Sequence, residues 1–382
     1  MDFDLSWLLL ALPAAFALGW LASRFDLRQL RRESRDAPRA YFKGLSLLLS
    51  EQQHKPIDAF IEAVQNDPDT VDLHFALGGL FRRRGEFERA VRVHEHLLRR
   101  ADLAPADRDR AQHALAQDYM KAGLFDRAEA AFRTLEGTAY DTESRLARLS
   151  LYERSRDWPA ATAMAEQLET RGAGVFSGRM AHYRCEMALE AEARGDVDAT
   201  RDALRLALAA APEAARPRLL SARHHARQGR PAQALAELED LLQRDPERFV
   251  LALDDYASAA RDAGRLDHAQ HMLADLFERQ PSVAVLRALC GLQGIRPAQS
   301  PLLDKLLERQ PSLSAVQAVL EDAEPALHTE RVAGLRRAVQ RAATPLQRYR
   351  CAHCGFEAQR HFWQCPGCLS WDSFPPRRIE QA

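Results

Sequence analysis

Four cysteines near the C-terminus carry the chemistry that this sequence advertises. Cys351 and Cys354 form one C-x-x-C, Cys365 and Cys368 form a second, and ten residues separate the two. Two such turns close together present four thiolates tetrahedrally, the arrangement taken by Zn²⁺ or by a single iron. The set calls for one Zn²⁺ or Fe ion, with Zn²⁺ favoured. Each C-x-x-C makes a tight knuckle whose backbone N–H groups point at the sulfurs. Gly355 supplies the left-handed residue that the first knuckle needs, whereas Leu369 stands in that place in the second and predicts a weaker N–H contact there. Disulfides and a redox dithiol are the competing readings. A redox C-x-x-C comes once, beside a βαβ pattern that this sequence lacks, and disulfides conflict with the cytoplasmic placement argued below. His353 and His361 are not needed as ligands, because four sulfurs complete the shell. Phe356, Phe362, Trp363 and Trp371 are the expected packing residues of so small a module, part of it against the last helices.

The elements that must position this site are helical. Hydrophobic residues make up 46% of the 382 and aromatics only 7%, so the apolar share rests on Ala and Leu, which favour helix over a β sandwich or barrel. A pattern recurs through the middle of the chain: a residue, then Gly four later, then a small residue five after that. It reads Phe81-Gly85-Ala90, Tyr119-Gly123-Ala128, Tyr152-Arg156-Ala161, Ala191-Gly195-Thr200, His225-Gly229-Ala234 and Ala260-Gly264-Ala269. The Gly ends one helix in the left-handed conformation, the small residue lets a second helix cross closely, and Pro212, Pro246 and Pro281 start the next unit. Leu77, Phe81, Phe87, Val91 and Leu97 are expected to fill the first seam. Even linker text repeats, as Glu-Arg-Gln-Pro-Ser at 278–282 and again at 308–312. The pattern resembles the tetratricopeptide repeat, over an array of 41–342 holding about nine helix pairs and irregular at both ends. Such arrays bind proteins along an extended face. The histidine pairs His94/His96, His224/His225 and His268/His271 read as solvated or groove-lining, and Cys185 and Cys290 as buried small hydrophobes. No nucleophile elbow, phosphate loop, dinucleotide turn or zinc-protease helix occurs, so the sequence reads as a non-enzyme.

Charge and hydropathy place the array. The net charge is -1, which argues against nucleic acid as the chief partner. Residues Leu5 to Ser23 are uncharged and long enough to cross a bilayer core of ~30 Å, with Trp7 and Trp20 near the two ends. Acidic Asp2 and Asp4 precede the run, and a basic linker of residues 24–40 follows it. By the positive-inside rule, residues 1–23 form one transmembrane helix with the N-terminus periplasmic and the rest cytoplasmic. A cleaved signal would need a basic leader and a shorter apolar stretch.

The cysteine module, 345–382, resembles a shortened rubredoxin-like knuckle pair, closer in length to a zinc ribbon. It is basic: between 336 and 378 eight arginines stand against Glu357 and Asp372. Electron transfer and nucleic-acid binding by this module are therefore alternative readings. The order of anchor, basic stretch, Tyr41-Phe42-Lys43-Gly44-Leu45, the run Ala76 to Glu86, and a tail with Cys-x-x-Cys-Gly-Phe and Trp-x-Cys-Pro-x-Cys resembles the lipopolysaccharide assembly protein B family over essentially the whole chain. That resemblance implies an all-α tetratricopeptide superhelix on an inner-membrane anchor, acting as an adaptor in regulated proteolysis. It implies as partners the membrane protease FtsH, its substrate the deacetylase LpxC, and other inner-membrane lipopolysaccharide proteins, with self-association left open. Of site residues it carries over Cys351, Cys354, Cys365 and Cys368 alone.

Overall fold

The computed structural model describes residues 70–310, 312–321 and 330–381. The expected transmembrane run, the basic linker and the opening repeat text from Tyr41 to Pro68 lie outside the described residues. Among the described residues no helix is long and apolar enough to cross a membrane. The chain divides into two compact units, Met1–Arg156 and Asp157–Ala382.

In the first unit helices α1 (Val71–Arg83), α2 (Phe87–Arg99), α3 (Pro105–Lys121), α4 (Phe125–Arg133) and α5 (Asp141–Ser155) follow one another, each packing on its chain neighbour. The turn between α1 and α2 shows why the pattern is spaced as it is. Gly85 takes φ +80°, and the N–H of Glu86 then bonds back to the carbonyl of Phe81 at 2.9 Å, satisfying a helix end that would otherwise lack a partner. The same bond joins Leu124 to Tyr119, Asp196 to Ala191, Arg230 to His225 and Arg265 to Ala260, so in these five triplets the first residue is the acceptor. At Arg156 the chain takes φ 58° without a glycine. The small third residues, Ala90, Ala128, Ala161, Thr200, Ala234 and Ala269, are all at most 2% exposed, as a close helix crossing requires. In the first seam Leu77, Phe81 and Leu97 are buried, while Phe87 and Val91 are half-buried.

Two of the paired histidines, His94 and His224, are buried where a solvated or groove-lining side chain was expected. His94 is 1% exposed and lies 2.5 Å from Asp118, which also accepts from Arg82 at 3.1 Å. Gly78 makes room for it, since a Cβ there would stand 2.5 Å from the imidazole. His224 is buried as well, whereas His268 pairs with Glu239 at 3.0 Å and His271 is exposed. Cys185 and Cys290 are buried, and burial pushes the Cys185 thiol up to about 12.

In the second unit α6 (Trp158–Thr170) packs on α7 (Ser177–Ala193), α7 on α8 (Val197–Ala210), and α9 (Ala215–Arg227) on α10 (Pro231–Arg244). Then the regular text breaks: α11 (Pro246–Phe249), a 3-10 turn at Val250–Ala252 and α12 (Leu253–Asp262) replace one helix. Pro246 does open a helix, but Pro212 and Pro281 sit in the linkers before α9 and α14, where Ser282 caps by accepting from the N–H of Val285. Helices α13 (Leu266–Arg279), α14 (Val283–Gln293), α15 (Leu302–Arg309), α16 (Leu313–Glu321) and α17 (Glu330–Leu346) complete the helical part. A continuous core from Ala215 to Ala315 joins α9 to α16, with Phe249, Tyr256, Leu273, Phe277 and Leu286 at its centre.

Candidate metal centre

After α17, a two-stranded antiparallel ribbon pairs β1 (Tyr349–Arg350) with β2 (Glu357–Ala358), in register Tyr349 to Ala358 and Arg350 to Glu357. The second knuckle has a matching single bridge, Gln364 to Trp371. The two knuckles are near copies. Cys351 N–H donates to the Phe356 carbonyl and Cys365 N–H to the Ser370 carbonyl, both at 2.9 Å; Gly355 and Leu369 donate back to Cys351 and Cys365 at 2.9 and 2.8 Å. Leu369 achieves this at φ 60°, the same left-handed conformation as Gly355 at 77°. The weaker contact expected at Leu369 is therefore not found: the N–H of Ser370 reaches Cys368 as that of Phe356 reaches Cys354.

All four sulfurs lie within 4.8 Å of one another, with Cys351 to Cys368 at 3.9 Å and Cys354 to Cys365 at 3.7 Å. A regular tetrahedron with metal–sulfur bonds of ~2.3 Å has sulfur–sulfur edges of about 3.8 Å. The residues thus fit a single ion in a four-cysteine site, and none of the four is in a disulfide. The thiols divide into two held down, Cys351 and Cys368, and two pushed up, Cys354 and Cys365, the last chiefly by desolvation. Hydrogen bonds from the Ser370 hydroxyl and N–H hold Cys368 down at about 5. Burial raises the Cys351 thiol, but Ser373 and the N–H groups of Cys354 and His353 outweigh it. Cys354 receives the Phe356 N–H, yet desolvation and its neighbouring sulfurs push it up to about 12. Four clustered sulfurs cannot all ionise alone, so a cation displaces the protons they share.

Packing around the site corrects the expected aromatic set. Phe374, not singled out from sequence, is the buried aromatic of the module core, with Cys351 and Cys365. Phe362 and Tyr349 pack on that core, but Phe356 is 42% exposed. His361 is no ligand: its Nε2–H donates to the Phe374 carbonyl at 3.0 Å, and burial lowers its pKa. His353 is exposed. Several arginines are committed within the protein, Arg350 to Glu357 at 2.8 Å and Arg377 to Glu247 at 2.5 Å.

Trp363 and Trp371 face the repeat helices, mostly earlier ones than expected. Trp371 stacks on His182 of α7 at 4.6 Å and meets Trp158 of α6 edge-on at 6.2 Å. Asp372 accepts from His182 at 2.7 Å; burial would raise its carboxyl, but His182, Arg248 and Arg216 hold it below the usual range. Trp363 packs on the Ala215–Ala315 core. The last helices contribute through Ser314 of α16, whose N–H donates to Glu380 at 3.0 Å. Sequence reasoning missed His182, Trp158, Arg216 and Asp372, because nothing in the local text links positions 190 residues apart.

Comparison with known proteins agrees with this assembly. The rubredoxin metal binding domain family matches residues 349–376, and tetratricopeptide repeat families match residues 73–109 and 185–248. The chain is 31% identical to lipopolysaccharide assembly protein B of Escherichia coli K12 over 97% of this chain and 98% of that one. It is 28% identical to the Haemophilus influenzae protein of the same name, over 97% of each. Among solved structures it is similar to a tetratricopeptide repeat protein from Parabacteroides merdae at 16% identity, covering 68% of this chain and 98% of that one with a TM-score of 0.33. Identity at this level from one end of the chain to the other, with the repeats and the four-cysteine module in the same order, makes this chain a member of the lipopolysaccharide assembly protein B family.

Proposed function

We propose that this protein is a non-enzymatic adaptor of lipopolysaccharide assembly, tethered to the inner membrane by residues 1–23 with its repeats in the cytoplasm. Its finer task, in this reading, is to present the deacetylase LpxC to the membrane protease FtsH. The observation that carries the proposal is the 31% identity to lipopolysaccharide assembly protein B along 97% of the chain. Stacked helix pairs support it, because they offer a long side-chain-rich surface to a protein partner. A tether supports it too: two proteins held by one anchored scaffold meet at a raised effective concentration beside a protease of the same bilayer. The metal in this reading is Zn²⁺ and is structural, since four protein ligands leave no open position for chemistry.

Crosslinking and co-purification from membranes is the test. FtsH and LpxC should be recovered with the intact chain, and a chain lacking residues 1–23 should become soluble and fail to restore lipopolysaccharide control in cells. Recovery of neither partner would refute the presentation mechanism. Metal analysis giving one iron with a reversible redox couple, in place of one zinc, would turn the module into an electron carrier.

A further inference from the structure

One buried histidine of the repeat helices reaches the loop that ties the two knuckles together. The loop Ser370–Ser373 is bonded to both, through Cys365 N–H to the Ser370 carbonyl at 2.9 Å and Ala352 N–H to the Ser373 carbonyl at 2.8 Å. It also brings the Ser370 hydroxyl within 3.4 Å of the Cys368 sulfur, and the Ser373 hydroxyl braces the loop by donating to the Ser370 carbonyl at 3.1 Å. In the middle of the loop Asp372 stands at φ 49°, a conformation that side chains resist and that the surroundings must therefore hold. The Asp372 N–H donates to the Trp363 carbonyl at 2.9 Å, and His182 takes the carboxylate. His182 is 3% exposed, its Nε2 is 2.7 Å from Asp372, and Trp371 stacks on its ring at an interplanar angle of 18°. Arg216 lies 3.5 Å from Nδ1 and can only donate, so Nδ1 accepts and Nε2 carries the proton that Asp372 receives. Arg216 is itself fixed by Glu186 at 2.6 Å.

We propose that His182 is a positioning residue for the metal centre: by holding Asp372 and Trp371 it fixes the loop that joins the two knuckles, so that retention of the metal depends on helix α7 of the repeats. The groups that orient a metal's ligands typically change affinity 10–100-fold when removed. His182 would do so from outside the module, making metal retention a readout of whether the module is seated. This rests on the four cysteines holding a metal.

The test uses the full chain loaded with zinc, following transfer to a chromogenic chelator, and the cobalt-substituted chain, following its thiolate-to-metal absorption. His182→Ala should release zinc about ten-fold faster and shift the cobalt spectrum. His182→Gln should restore most of the loss, because an amide offers one donor and one acceptor. Arg377→Ala removes a docking ion pair that does not touch the loop and should release zinc as the unchanged chain does. Should His182→Ala lose helical circular dichroism, Asp372→Asn decides: asparagine tolerates the left-handed conformation while giving up the carboxylate, and it too should release zinc faster. Release unchanged in both His182→Ala and Asp372→Asn, or equally fast in Arg377→Ala, overturns the role of His182. An unchanged chain that takes up no metal overturns the metal reading itself.

Discussion

The repeat helices and the metal module solve the same problem, holding a chain together, with opposite resources. Between Ala215 and Ala315 the helices bury a continuous apolar core in which Leu273, Phe277 and Tyr256 are fully enclosed. The module has a core of two cysteines and Phe374, with few partly buried neighbours. So small a cluster cannot offset the entropy of ordering its chain through hydrophobic burial. It needs the metal and the surface it sits on, whereas the helices need neither. Removing one side chain should therefore act in different ways in the two regions.

The largest effect is expected at the metal. Cys365→Ser should abolish stoichiometric metal and open the module to proteolysis, since a structural zinc contributes about 10–16 kcal/mol in small domains, yet leave helical circular dichroism nearly unchanged. A variant that keeps its metal would remove the distinction drawn between the two regions. Next comes the apolar core: Leu273→Ala should cost about 2–5 kcal/mol in denaturant unfolding of the second unit, with metal content preserved. Metal lost in parallel with that destabilisation would mean that the two regions are one cooperative body. Smaller still are two of the three left-handed residues that are not glycine among the described residues, Arg156 in the helices and Leu369 in the module. Arg156→Gly and Leu369→Gly should each stabilise by roughly 1 kcal/mol, read for the first as a higher melting temperature and for the second as slower loss of metal. A decrease at either position would show that its side chain does more than occupy the turn.

The smallest effect concerns protons. Burial lowers the pKa of His361 in the module and of His224 and His225 in the helices. For such groups the unfolded chain binds protons first, so stability present above about pH 6.5 declines as pH falls through the depressed folded value. Unfolding measured from pH 7.5 to 5.5 should show a steeper decline for the native chain than for His361→Gln in the module, and than for His224→Gln in the helices. Parallel slopes would mean that these histidines are reached by water in the folded protein.

Much of this was legible because it is local. The triplets such as Phe81-Gly85-Ala90 specify a helix end, a turn and a close crossing within ten residues, and the backbone bond from Glu86 to Phe81 follows from them. The knuckles are local too, each spanning six residues from Cys351 to Phe356 and from Cys365 to Ser370. What failed was of another kind. His94 was expected to be solvated or groove-lining, yet Asp118, contributed by the next helix and placed beside it by packing, gives the buried ring a hydrogen-bond partner. Leu369 was expected to weaken its knuckle, but the hydrogen bonds around it impose the conformation that a glycine adopts freely.

By itself the sequence determined that paired helices repeat, where each pair turns, which cysteines come together and to which family the chain is similar. These are properties of short segments, in which spacing along the chain fixes distance in space. Tertiary structure alone decided that His182, Trp158 and Arg216 receive the module, that Phe374 fills it, and that Asp372 is held in a strained turn. Those contacts join residues far apart in the sequence, His182 to Asp372 across 190 positions and Trp158 to Trp371 across still more. The relation between them is set by how successive helices stack, and no local spacing records it.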